Sequence, residues 1–447
     1  MRRQRINTLD SRILALALPA LGALAADPLV SLVDTLFVGR LGTVPLAALG
    51  VNAAVFAMAF VVFNFLAYGT TPLVARAVGG GEQDSARHLS VQALTLAVVI
   101  GVGALAGLEL AAGPVLRVMG AEGELFVPAR TYLRIRALAG PAVLLITASH
   151  GIFRGYQDTR TPLLVTLWLN VVNLVLDPIL IFGLGWGLAG AAWATAVAQW
   201  SGAIWFLSKL GRAAPASSTR PARPRIVLDF QHFRHLRGGR FMAIGGALAV
   251  RTFALIGTLT MATAVATRIG TVSVAAHQVG SQLWLLLALA IDSLAVAAQA
   301  LVAHFRGEKD LAAVHEASNR ILLWGLGTGT ALAGLLWLLS PLLPHLFTDE
   351  PEVIRAVAEI MPFIIWMQPL NALVFVWDGI FIGAEDFRFL AAQMVASGLV
   401  AAAALILVAV QDWDLVAVWW ALVLLMAMRA GTLAARYFGL LGNHLTT

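Results

Sequence analysis

Long apolar runs separated by short polar breaks dominate the chain. The runs last 20 residues or more, and charged residues gather at their borders. A helix needs about 20 apolar residues to cross the hydrocarbon core of a bilayer. A membrane strand would instead show about ten residues of strict alternation, which is not the pattern here. The breaks place twelve spans near 12–38, 46–75, 90–112, 130–153, 161–183, 187–208, 241–266, 273–303, 317–341, 353–381, 389–410 and 413–435. The fold class expected is an all-α polytopic membrane protein, since only helices and closed barrels satisfy their backbone groups in lipid.

The runs are duplicated. GIFRGYQDTR at 151–160 matches GIFIGAEDFR at 379–388 at six of ten positions, an offset of 228. At the same offset GRLGTVPLAA (39–48) answers TRIGTVSVAA (267–276), again six of ten. Two matches at one spacing make each half a copy of the other. With six spans per copy, both copies enter the membrane in the same direction. Such parallel repeats build paired-bundle secondary transporters, with the substrate site near the repeat interface. The expected division is a six-helix lobe at 1–208, a basic linker at 209–240 and a second six-helix lobe at 241–447. The linker is rich in Arg, Pro and Ser, and its part from Ile226 to Phe241 has the mixed pattern of a segment lying along the membrane surface.

Composition agrees with the pattern. The chain is 60% hydrophobic and 12% charged, against about 25% charged in soluble domains. The segment MRRQRINTLDSR leads straight into a full-length span, so no short cleavable signal is expected. A net charge of +6 could suggest nucleic acid, but sorting Lys and Arg by loop places 22 on the side of the amino terminus, seven on the other and Arg251 inside a span. The positive-inside rule accounts for that asymmetry. A location in the cell's inner (plasma) membrane with both termini cytoplasmic is expected, with lipid and a small organic substrate as partners, no nucleic acid, and a monomeric state.

Several chemistries lack their residues. Cys is absent, so there are no disulfides or thiolate metal sites. Neither Lys209 nor Lys309 sits in a phosphate-cradling loop, HExxH is missing, and there is no nucleophile elbow or pore filter. An intramembrane aspartyl protease using Asp34 and Asp177 would carry YD and GxGD motifs, which are missing. The chain reads as a transporter and not an enzyme, without metal or organic cofactor, driven by an H+ or Na+ gradient.

A gradient-driven carrier needs a group that binds the ion. Carboxylates within the bilayer are costly and functional by default. Asp27 and Asp34 lie seven apart on one helical face, beside Pro28, which favours a kink. Asn170, Asn173 and Asp177 form a second stripe, ended by Pro178. The duplicate has Ala262 opposite Asp34 and Leu405 opposite Asp177. Packing demands are similar in two copies, so acids found in only one point to chemistry there. Asp292, Asp378 and Arg251 are secondary candidates in the second half. Glu109 is expected at the membrane interface, and His150 and His277 are expected to be structural. A carboxyl that is neutral in one conformation and ionised in another couples proton movement to a conformational change. A proton and a substrate competing for one acidic face would give antiport.

The segments ADPLVSLVDTLFVGRLGTVPLAALG (26–50), NVVNLVLDPILIFGLGWGLAGAAWATAVAQ (170–199) and RIGTVSVAAHQVGSQLWLLLALAIDSLAVAAQALVA (268–303) resemble the multidrug and toxic compound extrusion (MATE) family, in its DinF-like branch. The resemblance runs over nearly the whole chain. It implies twelve helices in two lobes forming a V, and export of organic compounds in exchange for inward H+ or Na+. It also implies a proton-linked polar network in the amino-terminal lobe, onto which Asp34, Asn173, Asp177 and Thr195 fall. The other large branch binds its cation through an acid on the seventh span, and 241–266 has no Asp or Glu. The same segments resemble plant-type relatives that move citrate and other organic anions, so substrate charge stays open here. A lipid-linked precursor flippase of the same superfamily would have further spans and a more cationic cavity.

Overall fold

The computed structural model describes the backbone of residues 2–216, 221–226 and 238–439. Among the described residues there are fourteen α-helices: α1 Arg2–Gly39, α2 Thr43–Val61, α3 Phe65–Gly79, α4 Gln83–Val118, α5 Phe126–Ala137, α6 Gly140–Gly155, α7 Arg160–Pro178, α8 Gly187–Leu210, α9 Gly238–Ile269, α10 Thr271–Gly307, α11 Leu311–Leu339, α12 Pro351–Gly383, α13 Phe387–Val410 and α14 Leu415–Tyr437. Ten continuous helices are long and apolar enough to cross a membrane, with α2–α3 and the stretch Arg160–Gly183 each counted as one. A bent pair, Gly123–Ala137 with Gly140–Gly155, turns by 47° and makes an eleventh. Gly140 and Pro141 at the start of α6 explain the break, because proline is accepted in a helix's first turn but not in its interior. The remaining segment, α8, is dominated by Ala, Gly and Trp, yet its 24 residues extend about 36 Å.

Many large apolar side chains face outward. Leu110 is 85% exposed, Val118 87% and Trp366 76%. In a bilayer these surfaces meet lipid tails and cost nothing.

The helices fall into two compact units. The first is Leu18–Gly245; the second is Gly246–Thr447 together with Met1–Ala17. The boundary therefore lies inside α1, after Ala17, and inside α9, after Gly245. These two positions are 228 residues apart. Each long leading helix gives its first turns to the other unit. In the first unit α6 packs on α3 and α4; in the second α12 packs on α10 and α11. The second unit's apolar core surrounds the fully buried Trp419.

The repeated motifs are geometric devices. GIFRG and GIFIG are GxxxG pairs, and each glycine stands where a backbone passes. A Cβ on Gly151 would lie 2.8 Å from the carbonyl oxygen of Ala67, and one on Gly379 would lie 2.6 Å from that of Ala295. Gly155 meets Val74 at 2.7 Å and Gly383 meets the carbonyl of Gln299 at 2.9 Å. In both units this is the close helix crossing that small residues allow in membranes. The other repeat marks a turn: Gly42 (φ 114°) and Gly270 (φ 153°) precede α2 and α10 in a backbone region closed to other residues. We expect Gly379→Ala to cost about 1–3 kcal/mol through overpacking, read as a lower unfolding temperature in detergent. Gly103→Ala, where nothing lies within 4 Å, is expected to leave that temperature unchanged or raised.

The basic segment after α8 folds back on it. Arg223 donates to the carbonyls of Lys209 (2.8 Å) and Leu210 (3.2 Å), satisfying the end of the helix. Ala214 and Arg223 exchange backbone hydrogen bonds of 2.8 Å. Most of the stretch expected along the membrane surface, 227–237, lies outside the described residues.

Candidate functional site

In the first unit α1 and α7 bring Asp34 and Asp177 together. Asp177 is fully buried, in the last turn of α7 beside Pro178. Past the proline the helix widens into a π-turn at Ile179–Gly183, a feature often found at functional sites. Gly190 of α8 lets that turn seat closely, since a Cβ there would lie 2.7 Å from the Leu180 carbonyl.

The two carboxyl groups face each other within hydrogen-bonding reach. Among the described residues no N–H or O–H donor reaches either oxygen of Asp177 or Oδ1 of Asp34. Ionised carboxylates only accept hydrogen bonds; a donor appears between them only when one is protonated. With both ionised, the arrangement sets two like charges face to face; one proton between them would supply a donor.

Tyr132 and Arg136 of α5 complete the surroundings. Arg136 is the cationic neighbour of Asp34, and Tyr132 lies beside both acids. The Arg136 guanidinium lies over the Phe56 ring, 5.1 Å from its centroid, within the reach of a cation–π contact. One turn before Asp177, Asn173 Nδ2 lies 3.5 Å from Thr195 Oγ1. Thr195 donates its hydroxyl proton to the Ala191 carbonyl at 2.9 Å, so its oxygen is left to accept from Asn173. Asn170 is buried a further turn back on α7. The backbone of Asp27 continues α1, and its side chain lies outside the described residues.

At the matching positions of the second unit stand Ala262, Ile360, Ile364, Ala401, Leu405 and Val423. Ala262, Ile360, Ile364 and Leu405 are buried members of that unit's apolar core. Tyr132 and Arg136 both lie within the span placed at 130–153, but the sorting of charges by side counts Arg136 among the seven opposite the amino terminus, so neither residue is singled out in the sequence. The offset that singled out Asp34 would have found them, opposite Ile360 and Ile364.

The second unit holds a different cluster. Asp378 Oδ2 accepts from Arg251 Nη2 at 2.6 Å and also from Arg429 Nη2. Asp378 Oδ1 and Arg429 Nε are buried with no hydrogen-bond partner among the described residues. Asp292 is a further anionic neighbour of Arg429, and the Phe375 ring lies 5.8 Å from that guanidinium. The loop sorting placed Arg429 on the side of the amino terminus. That is corrected here: it is a nearly inaccessible residue of α14, 1% exposed. Its helix also carries Arg436 at the true border, and the two look alike in sequence. The positions equivalent to Arg251, Asp292, Asp378 and Arg429 in the first unit are Ala23, Asn64, His150 and Ser201. Each unit therefore carries a polar cluster where the other has none of its charges.

The remaining ionisable candidates are partnered or packed. Glu109 accepts from Arg134 Nε at 2.6 Å at a partly exposed position. His150 packs against Phe206, and His277 against Trp419.

A model of the MatE family matches this chain twice, at 19–179 and 247–407. The matched segments are themselves 228 residues apart and cover most of the chain. The chain belongs to the MATE family. Protein DETOXIFICATION 44, chloroplastic, of Arabidopsis thaliana is 36% identical over 436 residues, covering 95% of this chain and 81% of that protein. DNA damage-inducible protein F of Escherichia coli is 28% identical, covering 96% and 92%. The fold is similar to that of a MOP superfamily transporter from Pyrococcus furiosus (TM-score 0.84, 20% identity, 96% of each chain). It is similar also to an outward-facing multidrug resistance MATE transporter (TM-score 0.82, 21% identity, 95% of each). This MATE chain is accordingly an efflux transporter and not an enzyme, and it acts on small substrates within a membrane-embedded helical bundle.

Proposed function

We propose that this MATE transporter exports organic molecules from the cytoplasm in exchange for inward-moving protons, and that the Asp34–Asp177 pair carries the proton. The observation supporting this is that the buried Asp177 carboxyl, with no donor on either oxygen, faces the half-buried Asp34, whose Oδ1 also lacks one. A proton between them replaces repulsion by a hydrogen bond, so the packing of α1 against α7 depends on occupancy. Asn173 and Thr195 line the same polar stripe and would hold the substrate's polar groups or a water. Loss of the proton reopens the acidic face, and the substrate takes it. Alternating occupancy by proton and substrate is antiport.

The lack of acids on α9 before Arg268 argues against the seventh-span cation site, and two guanidiniums on Asp378 disfavour a bare Na+ there. With Arg429 and Arg136 both moved inside spans, Lys and Arg still divide 21 to 6, which supports cytoplasmic termini in a plasma membrane.

A second reading, export of an organic anion such as citrate, is favoured by the Arg251–Arg429 pair. A substrate carboxylate could take the place of Asp378 between them. Reconstituted transport separates these readings. Proteoliposomes are loaded with a cationic dye or with citrate, then given an outside-acid pH gradient or an inward Na+ gradient. Dye efflux under the pH gradient alone supports the first reading. Citrate efflux under that gradient supports the second, and efflux only with Na+ overturns proton coupling.

A further inference from the structure

The helix that carries Asp34 is held at its other end by an ion pair that proton coupling alone does not explain. Asp10, in the third turn of α1, belongs to the second unit. Its carboxylate accepts two parallel bonds from Arg320 of α11, Nε to Oδ1 and Nη2 to Oδ2, both 2.6 Å. Trp324, one turn along α11, donates Nε1–H to Oδ1 at 2.9 Å. Two residues on, the Arg12 guanidinium lies over the Phe305 ring of α10 at 5.0 Å. A forked guanidinium–carboxylate pair with a third donor fixes direction as well as distance.

Asp10 and Asp34 are 24 residues apart on one helix, roughly seven turns. The unit boundary falls between them. Pro19 and Pro28 lie in the same interval, and each removes a backbone hydrogen bond, so bending concentrates there. The clasp is also confined to one copy. The positions equivalent to Asp10, Arg320 and Trp324 are Gly238, Gln92 and Leu96. A fastening needed only to hold a long helix would be expected at both leading helices. Of the two leading helices, the one that carries Asp10 is also the one that bears Asp34.

We propose that Asp10, Arg320 and Trp324 are positioning residues for coupling. They anchor the start of α1 to the second unit, so that repacking of α1 at Asp34 pulls on that unit through the clasp. This rests on the reading of Asp34 as the ion-responsive group. Neither end acts alone: without the clasp α1 bends at its prolines and the movement is absorbed within the helix.

The chain has no cysteine, so one label can be placed in each unit at exposed loop positions, Glu124→Cys and Gln411→Cys. Spin-label distance distributions are recorded in nanodiscs at high and low pH, and gradient-driven efflux is measured in proteoliposomes. In the otherwise unaltered chain the distribution is expected to shift with pH. Asp10→Asn is expected to hold one distribution at both pH values and to lower turnover about tenfold, a typical coupling magnitude, with KM unchanged. The exchanged pair Asp10→Arg with Arg320→Asp is expected to restore both readouts, which loss of stability alone would not allow. Trp324→Phe keeps the ring and removes one donor, and gives the same effect more weakly in a folded chain. A wild-type pH response and turnover in Asp10→Asn overturns the proposal. If the labelled chain responds to Na+ and not to pH, proton coupling fails, and the same comparison in Na+ then decides the clasp.

Discussion

Asp34→Asn is expected to abolish proton-driven export while leaving a folded, inserted protein. The amide has nearly the carboxyl's shape and donates a hydrogen bond to Asp177 without needing a proton. It mimics the protonated pair permanently. Burial of an unpaired amide group costs about 1–3 kcal/mol at most, and here the amide gains a partner, so the unfolding temperature should hold or rise. Efflux driven by an outside-acid gradient should fall to the level of empty liposomes. Exchange of labelled for unlabelled substrate at equal pH, which requires no proton movement, should also be lost if the site must deprotonate to accept substrate. Full pH-driven export by Asp34→Asn would sink the assignment. Asp177→Asn tests the same pair from the other side and should resemble it.

The second large effect concerns Asp378. Removing one partner from a buried ion pair costs about 3–5 kcal/mol, because the remaining charge loses its compensation. Asp378 serves two guanidiniums, so Asp378→Ala is expected at the upper end of that range. Against a total stability of about 5–15 kcal/mol, low expression and a clearly lowered unfolding temperature in detergent are expected. Replacing the cluster together, Asp378→Leu with Arg251→Met and Arg429→Leu, should recover much of that stability, since apolar residues often replace buried ion pairs without loss. The triple variant then separates roles. If it is stable and still exports cations but not citrate, the arginines serve an anionic substrate. If it exports both, the cluster is structural.

The architecture was legible in the sequence because lipid imposes a simple rule: an apolar run long enough to cross must be a helix. The twelve runs and the 228-residue offset follow from that rule and from counting. The two acids proposed for coupling stand out in the sequence because duplication supplies its own control, with Asp34 set against Ala262 and Asp177 against Leu405. Partnership was not legible. Arg429 sits eight residues before the end of its helix, where a snorkelling arginine and a buried one have the same sequence neighbours; only Asp378, 51 residues away, decides between them. Tyr132 and Arg136 depend in the same way on where α5 ends and α6 begins, and a bend of 47° cannot be read from hydropathy. Asp10 was invisible for a different reason. It lies in a polar leader that looks like any cytoplasmic terminus, and its partners are more than 300 residues distant.

The division of α1 after Ala17 and of α9 after Gly245 bears on ancestry. In a half-length forebear, the same division would be an exchange of leading turns between two copies of one chain, a domain swap. Fusion of the genes would convert that swap between molecules into one within a molecule. It would also free the two leading helices to differ. One gained an acid and a fastening; the other kept neither. Cutting the present chain in its basic segment would therefore not release two self-sufficient halves, since each would lack turns the other supplies.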